Sequence, residues 1–201
     1  MKVVNKQAHI DPEKCIGCTI CSKVCPTNTI TMKDRKAVID PKYCYGCNAC
    51  FSRCEHGAVT MEAVEPFTVS LDFSAVPQKD IEDLCEKAHM FPKKKVCCVC
   101  VTKAEEVAAA ILMGAKNPID IARMTGVGTG CKIFCSQSVA RLFEAAGIDM
   151  GTAPGWQWYG KVADLWSIPE DVKAKYNDQY YFDDDIRFND ECNKIGLEKW
   201  R

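Results

Sequence analysis

Cysteines in the N-terminal quarter of the chain form two copies of the motif C-x2-C-x2-C-x3-C, offset by 29 residues. Thiolates at this spacing bind [4Fe-4S] clusters, and in two-cluster proteins the fourth cysteine of each motif binds the cluster of the other motif. The spacing therefore predicts two clusters with exchanged ligands. These ligands are Cys15, Cys18, Cys21 and Cys54 for the first cluster, and Cys44, Cys47, Cys50 and Cys25 for the second.

The duplication extends beyond the cysteines, because residues 10–12 and 39–41 share the sequence IDP and Gly17 matches Gly46. Short strands are predicted over residues 30–32, 37–39 and 58–61. A domain of about 60 residues is marginally stable without metals or disulfides. The sequence therefore predicts a cluster domain over residues 1–63 that is largely unfolded without its metal.

A third cysteine set follows later in the chain, at Cys98, Cys100, Cys131 and Cys135. Four thiolates are also the number that a [2Fe-2S] cluster needs. Glycines fill much of residues 126–130, where backbone free of side chains can approach a cluster and donate N–H bonds to its sulfurs. The sequence therefore predicts a [2Fe-2S] site, with Cys97 as an alternative to Cys98.

Two known families resemble these segments. Residues 1–63 resemble the bacterial two-cluster ferredoxins, although Glu55 follows Cys54 where proline is usual. Residues 96–147 resemble the [2Fe-2S] domain of the bacterioferritin-associated-ferredoxin type, on the cysteines and the Gly126–Cys131 run, although three residues rather than two separate the last cysteine pair. The second resemblance implies the ligand set named above and a flavin-dependent dehydrogenase or reductase as partner.

Other metal chemistry is weighed against these assignments. A structural zinc ion is an alternative at each cysteine set, and a stronger one at the third set, where two cysteine pairs could supply its four ligands. A Rieske centre requires two histidine ligands, and the cysteine pairs have no histidine at short spacing. Cys85 fits the apolar face of a helix, so it is predicted to be a buried hydrophobic residue.

The rest of the chain is divided by its periodicity. Residues 64–95 are predicted to be a linker with a strand over Thr68–Phe73 and a helix after Pro77. Residues 96–147 are predicted to hold three helices, the first opened by a capping box of Thr102 and Glu105. Residues 148–201 contain all four tryptophans, and their helical periodicity is weak except over Glu170 to Tyr176. We expect an extended, aromatic-rich tail there that docks on a partner protein.

The overall prediction is an α+β chain with a ferredoxin-like β/α cluster domain, a small, mainly helical [2Fe-2S] domain and an extended tail. The net charge of −1 gives no field that would recruit nucleic acid. The sequence offers no apolar run long enough to span a membrane and no signal-peptide core at its start. Fifteen cysteines then predict metal ligands in the reducing cytoplasm rather than disulfides.

The predicted function is electron transfer without a catalytic centre, because no nucleophile–base pair, carboxylate pair or nucleotide loop is recognised. We expect a subunit of a cytoplasmic oxidoreductase from an anaerobe. Its partners are predicted to be a catalytic flavoprotein subunit and a soluble ferredoxin. Deletion of residues 150–201 is expected to leave the clusters intact and abolish complex assembly. The alternatives are a cluster-delivery or iron-handling protein and a redox-sensing regulator.

Overall fold

The computed structural model describes residues 1–131 and 134–200. It is a mixed α+β structure with three small antiparallel sheets, seven α-helices and three short 3-10 helices in the described ranges. The strands are β1 (Lys2–Ile10), β2 (Ile30–Lys33), β3 (Lys36–Ile39), β4 (Val59–Val69), β5 (Lys95–Cys97) and β6 (Thr102–Lys103). The helices are α1 (Ile20–Val24), α2 (Gln78–Lys87), α3 (Ala104–Leu112), α4 (Pro118–Thr125), α5 (Cys135–Ala145), α6 (Glu170–Tyr180) and α7 (Phe182–Trp200).

The N-terminal region is built from two strand pairs. Strand β1 pairs with β4, from Ile10 opposite Val59 to Lys2 opposite Val69, and β2 pairs with β3 in a hairpin. The three short strands predicted there are confirmed, and β1 is a strand that the sequence analysis did not predict. The strand predicted over Thr68–Phe73 is wrong, because β4 ends at Val69. The β1–β4 sheet therefore extends past the predicted domain boundary at residue 63.

Apolar side chains are few in the region of β2 and β3. Its buried cluster contains Ile30, Ala37, Ala58 and Val59, and the remaining buried members are cysteines. So small an apolar core contributes little stability on its own. The packing of this region therefore depends on what its cysteines bind.

A second and larger core lies among α2, α3, α4 and α5. Ile81 on α2 and Leu142 and Phe143 on α5 are fully buried there, and α3 contributes a run of buried alanines that lets neighbouring helices approach closely. The helix predicted after Pro77 is confirmed as α2, which packs into this core rather than standing apart as a linker. This region thus has an apolar core that does not consist of cysteines.

The sequence predicts capping signals at the starts of α3 and α4, and the structure has one of them. Asn117 caps α4 by accepting from the N–H groups of Ile119 and Asp120, with Pro118 in the first turn, as predicted. The predicted capping box at Thr102 and Glu105 is wrong. Thr102 lies in β6, and the N–H of Lys103 donates to the carboxylate of Glu106 at 2.9 Å.

The C-terminal region differs from the predicted extended tail, because α6 and α7 occupy most of residues 170–200. Helix α7 contacts the segment that follows α2, where Asn193 Nδ2 donates to the carbonyl of His89 at 2.9 Å. The Trp166 ring stacks on His89 at 4.4 Å, and its Nε1 donates to Asp190 at 3.3 Å. In the described part of the chain, no helix is both long and apolar enough to cross a membrane.

Candidate metal centres

The cysteines of the two N-terminal motifs line two separate cavities. Site I is the cavity lined by Cys15, Cys18, Cys21 and Cys54. Site II is the cavity lined by Cys44, Cys47, Cys50 and Cys25. Each motif supplies three cysteines to one cavity and its fourth cysteine to the other. This is the grouping that the spacing predicts, and ligation itself stays a prediction.

The 29-residue repeat places equivalent backbone groups at the two sites. The N–H of Ala8 donates to Cys44 Sγ at 3.3 Å, and the N–H of its counterpart Ala37 lies 3.5 Å from Cys15 Sγ. Backbone N–H groups directed at cysteine sulfurs stabilise thiolate charge and orient the ligands. Each strand thus supports the cysteines of the other motif.

Glycine is required at equivalent positions of the two motifs. Gly17 has φ 77°, and a Cβ there would lie 2.1 Å from the carbonyl oxygen of Arg35. Gly46 has φ 63°, and a Cβ there would lie 2.3 Å from the carbonyl oxygen of Lys6. Both cysteine loops therefore cross neighbouring backbone at distances that exclude a side chain. Four thiols around an apolar cavity, held by such loops, fit a [4Fe-4S] cluster at each site.

Burial keeps several of these thiols protonated when no metal is bound. It raises the pKa of Cys50 to about 12 and also raises the pKa of Cys47 and Cys21. Because only the thiolate binds metal, loading these sites must release protons. Asp11 lies beside the first motif, where the N–H groups of Glu13 and Lys14 donate to its carboxylate and lower its pKa.

At the third cysteine set, burial distinguishes the predicted ligand Cys98 from its alternative Cys97, and ligation itself stays a prediction. Cys97 is buried, whereas the predicted ligand Cys98 is exposed. Hydrogen bonds among the side chains of Cys97, Cys100 and Cys135 lower the pKa of Cys97 and raise the pKa of Cys100 and Cys135. Cys131 is exposed, and its charge contributes to the raised pKa of Cys135. We call the set Cys97, Cys100, Cys131 and Cys135 site III.

A bulge in β5 explains why Cys97 rather than Cys98 points inward. Lys95 lies opposite Lys103, but Cys97 lies opposite Thr102, so β5 has one residue more than β6 between these pairs. The extra residue breaks the alternation of a regular strand, and Val96 and Cys97 are both buried. A two-residue strand such as β6 gives no sequence signal from which this bulge could be predicted.

The glycine-containing run before Cys131 closes one side of site III. Cys100 Sγ donates to the carbonyl of Gly126 at 3.0 Å, and the N–H of Gly128 donates to Cys97. The predicted N–H bonds from this run to the sulfides of a cluster stay a prediction. Val101, next to Cys100, has φ 52°, which is an unusual conformation for a β-branched residue. Residues 132 and 133, between the last two cysteines, lie outside the described residues.

Sites II and III share a wall. Thr129 lines the site II cavity, and its Oγ1 lies 3.9 Å from Cys100 Sγ. Arg123 fixes the two regions against each other, since its Nε donates to the carbonyl of Thr27 at 2.8 Å and its own carbonyl accepts from Tyr45 Oη at 2.6 Å. None of these contacts could be predicted from the sequence, because each joins residues far apart in the chain.

Residues 156 and 157 contact the backbone of the loop that carries Cys25, a cysteine of site II. The N–H of Trp156 donates to the carbonyl of Lys23 at 2.9 Å, and Gln157 Nε2 donates to the carbonyl of Cys25 at 2.8 Å. The predicted tail is therefore in contact with a cysteine loop along its first part. Deletion from residue 150 would remove these contacts, so it is no clean test of partner docking.

Comparison with known proteins identifies one part of the chain. A family described as the 4Fe-4S dicluster domain matches residues 14–58, which contain both cysteine motifs. No curated protein and no solved structure matches the chain. Residues 14–58 thus form an iron-sulfur, ferredoxin-like domain, which supports a role in electron transfer. Among the described residues, no group of three His, Cys, Asp or Glu side chains is arranged to hold a single metal ion.

Proposed function

We propose that the chain is an electron-transfer subunit with three iron-sulfur centres. Sites I and II each hold a [4Fe-4S] cluster, and site III holds a [2Fe-2S] cluster through Cys97, Cys100, Cys131 and Cys135. Such clusters, when bound, supply reversible one-electron storage at potentials set by burial and hydrogen bonding. The chain supplies the thiolates, the apolar walls that exclude water and the backbone donors that hold the sulfurs in place.

The single observation that carries this proposal is the contact between sites II and III. Thr129 contributes both to the site II cavity and to the surroundings of Cys100. Cys25 and Cys54 link site I and site II in the same way, because each belongs to the motif that lines the other cavity. The three sites are therefore contiguous in the order I, II, III, which is the arrangement that a relay needs and a storage site does not.

Each end of this series reaches the surface. At site I, Cys18 is exposed and lies beside the exposed side chain of Ile16. At site III, Cys131 is exposed, and Phe134 nearby in the chain is 70% exposed. Apolar surface around an exposed cofactor ligand is typical of a transient docking site. The two ends support exchange with two different redox partners, a soluble ferredoxin and a catalytic subunit.

The catalytic partner is a flavoprotein oxidoreductase subunit that docks on α6 and α7. Exposed aromatic side chains lie where these helices meet, at Tyr176, Tyr180 and Tyr181. The Tyr176 and Tyr180 rings contact each other at 6.3 Å, and Tyr180 stacks on Phe182 at 5.7 Å. Tyrosine supplies a large contact area with little loss of side-chain entropy on binding, so such a cluster fits a protein interface.

Native mass spectrometry of the complex, purified without oxygen from its source, tests both parts of the proposal. We expect about ten iron atoms per copy of this chain and a second, flavin-containing subunit. A Tyr180→Ser, Tyr181→Ser double variant should keep its iron and lose the partner. The matched control is Phe67→Ser, an exposed aromatic change on β4 that should keep both. The docking would be contradicted if the unmodified chain were purified without a partner, or if the double variant kept its partner.

Cluster delivery is the second candidate, and it is favoured by the exposure of Cys131 at site III. An exposed ligand is accessible to the thiols of an acceptor, so the cluster could be exchanged. This candidate requires transfer of a [2Fe-2S] cluster to an apo-acceptor within minutes. Retention of the site III cluster in the presence of excess apo-acceptor would exclude it.

A further inference from the structure

Lys2 lies between site II and site III. It begins β1, and its Nζ donates to the carbonyl oxygen of Thr129 at 3.0 Å. Thr129 is the residue that lines the site II cavity and approaches Cys100 at site III. The ammonium group is therefore bound at the wall that the two sites share.

Packing holds the Lys2 side chain in this place. A Cβ built on Gly126 would lie 3.0 Å from the Cβ of Lys2 and 3.8 Å from Cys100 Sγ. The stem of the lysine thus runs over the same backbone that accepts the hydrogen bond from Cys100. Pairing of Lys2 with Val69 in the β1–β4 sheet fixes the backbone from which the side chain extends.

The charge of Lys2 acts on cysteines of both sites. Burial raises the pKa of the Cys47 thiol, and the hydrogen bond to Cys97 raises that of Cys100, while the Lys2 ammonium acts against both increases. Among the described residues, no carboxylate forms an ion pair with Lys2. Its positive charge is therefore available to the two sites and is not neutralised by a neighbour.

We propose that Lys2 is a positioning residue that raises the reduction potentials of site II and site III together. A fixed positive charge stabilises the reduced form of a centre, which carries one more negative charge than the oxidised form. Because Lys2 acts on both sites at once, it makes both centres easier to reduce without changing the order of their potentials. This inference depends on the proposed function, because it requires a redox centre at site III.

The test is a redox titration of the full chain with all its clusters, followed by electron paramagnetic resonance. Lys2→Gln should lower the equilibrium constant for reduction about tenfold at sites II and III, which is about 59 mV for one electron. Site I serves as an internal reference and should not change. Lys2→Arg should restore both potentials to within about threefold. Lys79→Gln, on the exposed side of α2, removes the same charge and should change none.

Each outcome separates the inference from the proposed function. Three redox centres whose potentials do not respond to Lys2→Gln would overturn the inference alone. A shift at only one site, or equal shifts in Lys2→Gln and Lys79→Gln, would also overturn it. Absence of a third centre from the unmodified protein would overturn the proposed function, and with it the role of Lys2. Iron content of each variant shows whether a change in potential reflects charge or loss of a cluster.

Discussion

Sites I and II are assembled from residues related by a 29-residue repeat, whereas site III is assembled from unrelated parts. In the repeat, Gly17 and Gly46 cross neighbouring backbone in the same way, and Ala8 and Ala37 approach cysteine sulfurs in the same way. At site III, a bulge in β5 places Cys97 and a glycine-containing loop brings backbone to the cysteine sulfurs, and neither feature has a counterpart elsewhere in the site. Ligand positions can be predicted from the spacing of a duplicated motif. They cannot be predicted in the same way where a single irregular loop places the cysteines.

The two regions also differ in what holds them together. Around site I, the buried residues other than cysteines are few and small. The helical region has an apolar core in α2, α3 and α5 that exists apart from its cysteines. Removal of metal should therefore unfold the N-terminal region and leave the helical region folded.

The largest expected effect comes from complete removal of iron by a chelator. We expect residues 1–69 to lose their slowly exchanging amides, because metal binding supplies most of the folding free energy of so small a core. Helices α2 and α3 should keep amides that exchange slowly. Hydrogen exchange read out by mass spectrometry distinguishes the regions. Equal protection of β2 and α3 in the iron-free chain would show that the N-terminal core is self-sufficient.

Substitution of single cysteines tests whether Cys97 or Cys98 is a ligand at site III. Cys97→Ser should lose the site III cluster, about two of about ten iron atoms, because the buried sulfur at the centre of the hydrogen-bonded set is removed. Its neighbour gives the matched control, since Cys98→Ser changes an exposed thiol and should keep all the iron. Iron analysis and the visible absorption spectrum measure both. Loss of iron from Cys98→Ser but not from Cys97→Ser would restore the sequence-based ligand set.

Alanine at the paired glycines tests the equivalence of sites I and II. Gly17→Ala and Gly46→Ala should each lower the free energy of unfolding by more than the ~1–2 kcal/mol of the left-handed conformation alone. The added Cβ would also overlap a carbonyl oxygen in both cases. Gly57 has φ 60° with open space around it, so Gly57→Ala should show the conformational cost only. Denaturant midpoints of the iron-loaded proteins compare the three variants.

That experiment contradicts the repeat-based interpretation if one of the paired variants behaves like Gly57→Ala. In that case the two sites would share their sequence spacing without sharing their backbone support. Equal and large effects would mean that both cysteine loops depend on the same close approach of the chain.

Much of this comparison could be predicted from the sequence. The repeat gave the ligand grouping, and Asn117-Pro118 gave the start of α4. Neither the bulge at Val96 nor the contact of Thr129 with both sites could be predicted, because each depends on residues brought together only by the fold. The helical periodicity over Glu170 to Tyr176 lies within α6, but α7 was not predicted, since little of its surface is buried and its apolar periodicity is correspondingly weak.

The smallest expected effect concerns strain at site III. Val101 has φ 52°, a conformation that costs a β-branched residue about 1–2 kcal/mol and glycine almost nothing. Val101→Gly should therefore raise the denaturant midpoint slightly. The gain is small because glycine also makes the unfolded chain more flexible, which offsets part of the relieved strain. Val99→Gly, at an exposed neighbour without positive φ, should lower the midpoint. Equal destabilisation by both substitutions would show that the Val101 conformation is not strained.

The central claim is that three redox centres lie in one contiguous series, and a coulometric reductive titration of the anaerobic protein tests it most directly. The account predicts uptake of three electrons per chain, with magnetic interaction between the centres at sites II and III once both are reduced. Uptake of two electrons, with zinc or no metal bound by Cys97, Cys100, Cys131 and Cys135, would contradict it.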